Sequence, residues 1–302
     1  MYRTKGSEGK NLFLFFVIAF GWTWLLWLPS VIISVTGNQS LMYWMHDVEM
    51  SVGLGLIAIG GIFSTFGPLV AAFAVTGLTE GRKGVRRFWR RFWDVRLPGV
   101  WLLVSFLLPL LLIAFPRLLV VPLGYPLQLA WASQPAVLVG WFLSNLTRSG
   151  GMSEEFGWRG YALPRLQARW NALVSSIVLG VIWTLWHLPL WFLAGSSQQG
   201  SSFWLFLASL VLTSVLYTWL SNNAKGSILV AVVFHAVGNT ASQMFPGSTS
   251  NLFYWLVLGL TVVLVVAIYG PRRLVRERRE PSFAPAALQG SPAQASKEGE
   301  NG

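Results

Sequence analysis

The sequence holds no cysteine. That excludes a disulfide framework, a thiolate nucleophile and the thiolate ligand sets of structural zinc, and it leaves the redox compartment unread. Charge is almost as scarce: Asp, Glu, Lys and Arg make up 11% of the chain and only 11 residues are acidic. A soluble domain carries roughly 25% charged residues on its surface and loops. A chain this poor in charge, 54% hydrophobic and holding 17 Trp and 20 Phe, reads as a polytopic membrane protein. Histidine occurs only as His46, His187 and His235.

The long apolar runs predict an all-α bundle of about eight transmembrane helices in one domain, 12–270. The expected spans are 12–35, 51–77 with a bend at Gly67-Pro68, 100–121 with Pro109 and Pro116, 135 down to the Glu154-Glu155 pair, 172–194, 203–220, 227–245 and 252–269. The first run opens like a signal peptide but is too long for an h-region and lacks a small-residue cleavage site, so it reads as a span. Residues 37–50 form a loop with His46, and a short amphipathic helix is expected over 161–171 with Pro164 in its first turn. Between the second and third spans, Arg82, Lys83, Arg86, Arg87, Arg90 and Arg91 interleave with Phe88, Trp89, Phe92 and Trp93. That alternation predicts an interfacial segment lying on anionic lipid. Residues 1–11 read as a cytoplasmic N-terminus and 271–302 as a basic, then Pro/Ala/Ser/Gly-rich, disordered cytoplasmic tail.

The net charge of +11 is explained by topology. Of the 22 Lys and Arg, all but Arg117 fall at the termini or in the connections that eight spans assign to one face. The positive-inside rule makes that face cytoplasmic. The expectation is an integral protein of the plasma membrane with both termini inside, whose partners are the bilayer and a membrane protein or peptide substrate, with no nucleic acid.

Within this uncharged background, the stretch Gly150-Gly-Met-Ser-Glu-Glu-Phe-Gly-Trp-Arg-Gly160 stands out. On a helix Glu155 and Arg159 form an i,i+4 pair, a neutralised structural couple, while Glu154 points away with its charge uncommitted. His187 follows in Trp183-Thr-Leu-Trp-His187, and His235 shares a helical face with Asn239. Each of these alone reads as readily as an interhelical hydrogen-bonder. Together, two imidazoles and a carboxylate are a donor set for hydrolytic zinc or for general-base activation of water.

Glu154-Glu155-x-x-x-Arg159, aromatic-x-x-x-His187 and His235-x-x-x-Asn239, in this order, resemble the CPBP family of intramembrane proteases. That family includes type II CAAX prenyl endopeptidases and bacteriocin-processing or self-immunity proteins. The resemblance covers roughly 135–247 and departs from the family once, at Trp183, where Phe is usual. It implies an intramembrane endopeptidase in which Glu154 and His187 activate water, His235 and Asn239 polarise the carbonyl, and Glu155, Arg159 and Trp183 support the site. Glu154, His187 and His235 would be the ligands if Zn2+ takes part, and a metal-free mechanism suits the same residues. A non-catalytic immunity or scaffold protein is the alternative; a proton-coupled transporter is disfavoured because no inverted repeat is visible.

The topology is testable in a chain without native cysteine. Single cysteines at Ser7 and Ser282 should be protected from membrane-impermeant labelling in intact cells, and His46→Cys should be labelled. The reverse pattern would refute the eight-span reading.

Overall fold

The computed structural model describes residues 5–36, 59–93, 99–129, 131–246 and 252–276. The expected loop 37–50 with His46, residues 51–58 of the second span and the tail from 277 onward lie outside the described residues. Among the described residues, besides a helical stretch at 59–64, the chain runs through α1 (Lys5–Thr36), α2 (Gly67–Trp93), α3 (Gly99–Leu119), α4 (Val137–Thr147), α5 (Gly151–Glu155), α6 (Leu163–Gln167), α7 (Ala172–Trp186), α8 (Phe203–Asn223), α9 (Ile228–Met244) and α10 (Leu252–Tyr269). A π-helical turn, Phe156–Ala162, joins α5 to α6. No strand occurs among the described residues, so the all-α membrane class holds. Among the described residues five helices are long and apolar enough to cross a bilayer: α1, α3, α7 with its extension to Phe192, α8 and α10. α9 is apolar but shorter.

Four expected spans close as read, because apolar runs with Ser, Gly and Pro at their ends leave little choice: α1, α3, α8 and α10. Two expected spans are broken. The fourth is not one helix down to the glutamates, since α4 stops at Thr147 and the chain restarts at Gly151 after Gly150 takes φ 118°. With only 11 residues, α4 rises about 16 Å, roughly half of a hydrocarbon core. The fifth is shortened because Pro189 cannot continue a helix: α7 ends at Trp186 and a 3-10 turn, Leu188–Phe192, follows.

The α5–π–α6 passage is the centre of the molecule. Every residue of Phe156–Ala162 is buried. α2 packs along it, with α9 on its far side and α8 and α7 beyond. Phe156 stacks with Phe92 and Trp89 and meets Phe73 and Phe88, while Trp158 and Tyr161 pack on Phe15 of α1. The basic-aromatic segment has a protein contact that its sequence reading did not include. α2 turns at Gly81, and the stretch beyond it buries Phe88 and Phe92 against the π-turn while Trp89, Trp93 and most of its arginines stay exposed. Phenylalanine has no polar edge to keep at an interface, so the protein core takes it and leaves the tryptophans outward. Arg91 anchors the segment by donating to the carbonyls of Gly160 (2.7 Å) and Gly226 (3.2 Å).

Behind α10 the chain does not leave at once. The carbonyls of Pro271 and Arg272 accept from Leu173 and Ala172, the orphan N–H groups opening α7. Asn222 and Asn223 donate to the carbonyls of Arg273 and Leu274, and Leu274 is buried.

Gly157 crosses closely over Pro68, where an added Cβ would lie 2.6 Å from the Pro68 carbonyl carbon and oxygen. Both partners are backbone, so neither can turn aside. Overpacking of this kind costs about 1–3 kcal/mol or more. Gly157→Ala should lower the melting temperature in detergent by several degrees or abolish accumulation. Gly140→Ala, with nothing within 4 Å, should leave it unchanged.

Candidate active site

Gly150 begins the construction. Its N–H donates to the Ser153 hydroxyl (3.2 Å), which in turn donates to the Arg148 carbonyl (3.0 Å). This turn carries the backbone so close to His235 that a Cβ on Gly150 would lie 2.1 Å from the imidazole Nε2. Only glycine satisfies both that approach and the positive φ.

From this turn the two glutamates diverge. Glu155, fully buried, accepts at Oε1 from Arg159 Nη1 (2.8 Å) and from His235 Nδ1 (2.7 Å). The Arg159 guanidinium also lies over the rings of Tyr217 (3.7 Å) and Trp183 (4.3 Å). The ion pair expected from the i,i+4 spacing thus has a third member, His235, which the chain separates from it by 80 residues. A carboxylate only accepts, so Nδ1 of His235 carries a hydrogen and Nε2 is left for the side facing Gly150.

Glu154 takes neutral donors instead. Its Oε2 accepts from the indole N–H of Trp183 (2.6 Å) and of Trp158 (3.2 Å), and its Oε1 has no hydrogen-bond donor among the described residues. The side chain is 4% exposed, and it lines a cavity of about 560 Å³. His187, capping α7, donates from Nδ1 to the Trp183 carbonyl (2.8 Å), which fixes its tautomer and leaves Nε2 as an acceptor when the ring is neutral. His235 and Asn239 line the same cavity, and Asn239 Nδ2 donates to the Ser149 carbonyl (2.7 Å). All four residues singled out from the sequence meet there.

The half-length α4 and the buried π-turn put the glutamates inside the bundle and not at its margin, where Glu154 shares a cavity with His187 and His235. Two contributors went unread. Trp158, four residues after Glu154, was visible as an i,i+4 neighbour. Asn145, which ties α4 to α9 through Thr240 and Gln243 at 3.1 Å each, gave no signal beyond being polar in an apolar run.

The fit to zinc is poor in this arrangement. Among the described residues no three of His, Cys, Asp and Glu come together closely enough to hold a metal ion. Glu154 Oε1 and Nε2 of His187 accept no hydrogen bond and Nε2 of His235 is not taken by Glu155, so what counts against a shared ion is the grouping of the residues and not the occupancy of these atoms. The residues named as zinc ligands from the sequence share a cavity without forming a ligand cage.

Comparison with known proteins returns the family that the motifs resemble. The model of the Rce1-like type II CAAX prenyl endopeptidases matches residues 135–241, which contain Glu154, Glu155, Arg159, Trp183, His187, His235 and Asn239. A CAAX prenyl protease 2 of Methanococcus maripaludis is 27% identical over 252 residues, covering 79% of this chain and 86% of that protein. A lysostaphin resistance protein A of Staphylococcus haemolyticus is 26% identical over 140 residues, 45% of this chain and 35% of that protein.

Trp183 is where the chain departs from the motif's usual Phe, and it is where an indole N–H reaches Glu154. Trp183→Phe keeps an aromatic ring and removes the donor. A hydrogen bond to a charged group contributes about 1.5–3 kcal/mol, so turnover of a cleaved peptide should fall about 10- to 100-fold with KM little changed. A change within twofold would mean that the indole does not position Glu154.

Proposed function

We propose that this relative of the CAAX prenyl endopeptidases is an intramembrane endopeptidase that hydrolyses a peptide bond of a membrane-associated protein or peptide, with Glu154 and His187 activating the water. The observation that supports it most directly is the state of Glu154: a buried carboxylate with one oxygen held by two indoles and the other without a protein donor, in a cavity shared with His187. Glu155 also has an oxygen without a donor, so what distinguishes Glu154 is that it lines the cavity beside His187; Glu155 is not among the residues that line it.

A water between Glu154 Oε1 and His187 Nε2 finds an acceptor on each side. Its oxygen adds to the scissile carbonyl carbon as its proton passes to Glu154. The carbonyl oxygen, gaining negative charge, is met from α9 by the remaining amide N–H of Asn239 and by His235, which donates through Nε2 when it is an imidazolium paired with Glu155. The C–N bond then breaks, and the proton held on Glu154 goes to the leaving amine. Arg159 and Glu155 act through His235, holding its ring where the oxyanion forms. No step is routed through a metal.

Glu154→Gln is nearly isosteric and should yield a folded protein whose cleavage of membrane peptides in proteoliposomes is reduced about 10²- to 10⁴-fold, the range for losing a general base. Glu155→Gln is expected to differ in kind. It strands Arg159 and His235 in a buried place, a loss of about 3–5 kcal/mol, so yield and thermal stability should drop with activity. A folded, inactive Glu155→Gln beside an active Glu154→Gln would reverse the roles. Metal analysis of the same preparations decides the zinc question: full activity with metal far below one equivalent fits this scheme, and stoichiometric zinc lost in His187→Ala and His235→Ala contradicts it.

A further inference from the structure

A cavity of about 550 Å³ lies at the arginine-rich end of the bundle, where α7 begins and α8 and α10 end. Its walls are the α6–α7 junction with Gln167 and Trp170, the α8–α9 turn with Asn222 and Gly226, and the segment after α10 with Arg272 and Arg273. The mechanism uses none of these residues. Their frame does not depend on the arginine side chains. Gln167 and Asn222 exchange hydrogen bonds (3.0 and 2.8 Å), Asn222 also donates to the Arg273 carbonyl, and the carbonyls of Pro271 and Arg272 take the N–H groups that open α7. Among the described residues only Lys225 and Leu274 combine a side chain with a positive φ (56° and 51°), and they adjoin Gly226 and Arg273 of the cavity. A residue with a Cβ keeps such a φ only where its surroundings impose it, so both walls are held in place.

What the frame presents is unanswered positive charge. The Arg272 and Arg273 side chains are exposed, neither has an ion-pair or hydrogen-bond partner among the described residues, and no acidic side chain lines the cavity. The opening of α7 adds nothing for an anion, since the amides of Ala172, Leu173 and Val174 are already taken. We infer that this cavity binds a phosphate group, supplied by the headgroup of an anionic phospholipid. Guanidinium groups hold phosphate oxygens through paired, charge-assisted hydrogen bonds, and two of them lining one cavity suit a phosphodiester. The volume falls within the roughly 300–1,000 Å³ of ligand sites. Position favours a lipid over a free phosphate. The cavity sits where three helices of spanning length end, which is the level of headgroups, and exposed Trp170 stands beside it as aromatics do at an interface. Exposed Val174, Ile177 and Val181 run along α7 from its edge and give acyl chains an apolar surface. A zwitterionic headgroup would bring an ammonium for which the lining holds no carboxylate. No residue around Glu154 is involved, so the inference is independent of the protease reading.

The test titrates the full chain, purified in detergent, with palmitoyl-oleoyl phosphatidylglycerol and counts bound lipid by native mass spectrometry, with the matching phosphatidylcholine and inorganic phosphate as the other probes. Wild type should retain one phosphatidylglycerol with a preference over phosphatidylcholine of about tenfold or more, the gain from one charge-assisted hydrogen bond. Arg272→Gln with Arg273→Gln should remove that preference and leave the lipid-free melting temperature as in wild type, because carbonyls and not side chains hold the segment. Arg82→Gln with Arg86→Gln takes the same charge from the exposed part of α2, outside the cavity, and should leave the preference unchanged. A preference kept in the Arg272 and Arg273 variant, lost equally in both paired variants, or absent from wild type overturns the site. Displacement of the lipid by equimolar inorganic phosphate overturns the lipid source and gives the cavity to a soluble phosphate. If the paired variant at Arg272 and Arg273 does not fold, Arg272→Gln and Arg273→Gln singly decide by the same readout.

Discussion

The interaction on which the bundle depends is the buried triad of Glu155, Arg159 and His235. Isolated charges in a membrane interior are prohibitive, and even a pair must recover the desolvation of both partners through good geometry. Here one carboxylate oxygen takes two donors, and the guanidinium spreads its charge over the faces of Tyr217 and Trp183. Those four partners come from α7, α8, α9 and the α5–π passage. The triad can be satisfied only when these elements are assembled, so it fixes their mutual positions as much as apolar packing does. In lipid there is little hydrophobic force between helices to do that work.

The triad also explains why the central passage is irregular. Glu154 with Trp158 and Glu155 with Arg159 are two i,i+4 pairs running side by side, each carboxylate holding a partner from its own turn. The wide turn over Phe156–Ala162 follows at once, in keeping with the frequent appearance of π-turns at functional places. The passage is surrounded by aromatic rings from α1 and α2 and approached closely at Gly157 by Pro68 and at Gly160 by Ile228 and Phe88. Backbone this deep is tolerated because protein, and not lipid, surrounds it.

Much of this was legible in the residues. Helices bounded by Ser, Gly or Pro around long apolar runs, such as α8 and α10, follow from composition, and the scarcity of charge made Glu154, Glu155, Arg159, His187 and His235 conspicuous. What was not legible has a common physical cause. The apolar run from 135 reads as one helix because nothing in Val137–Thr147 announces a stop, and only the Ser-Gly-Gly at 149–151 marks the break. The burial of Phe88 and Phe92 in the core was not legible, because periodicity says which side is apolar and not what covers it. The bond from His235 to Glu155 joins residues 80 apart, and no spacing rule reaches that far. The Trp-for-Phe change at 183 was plain in the sequence, but its meaning is not, since an indole donor matters only once its acceptor is known.

In the proposed mechanism two adjacent glutamates, one peptide bond apart, have opposite roles because their surroundings differ in charge and not in polarity alone. Glu155 faces Arg159, a cation that does not deprotonate in proteins, and its negative charge is required wherever the bundle is folded. Glu154 faces two indoles, which donate hydrogen bonds but carry no charge. Nothing around it demands that it remain ionised, and one oxygen opens to the cavity. Gaining and losing a proton therefore leaves the rest of the bundle intact at Glu154 and would break the triad at Glu155. A catalytic base must change its protonation twice in each turnover without unfolding its host, and among the buried carboxylates described here Glu154 is the one whose environment allows it.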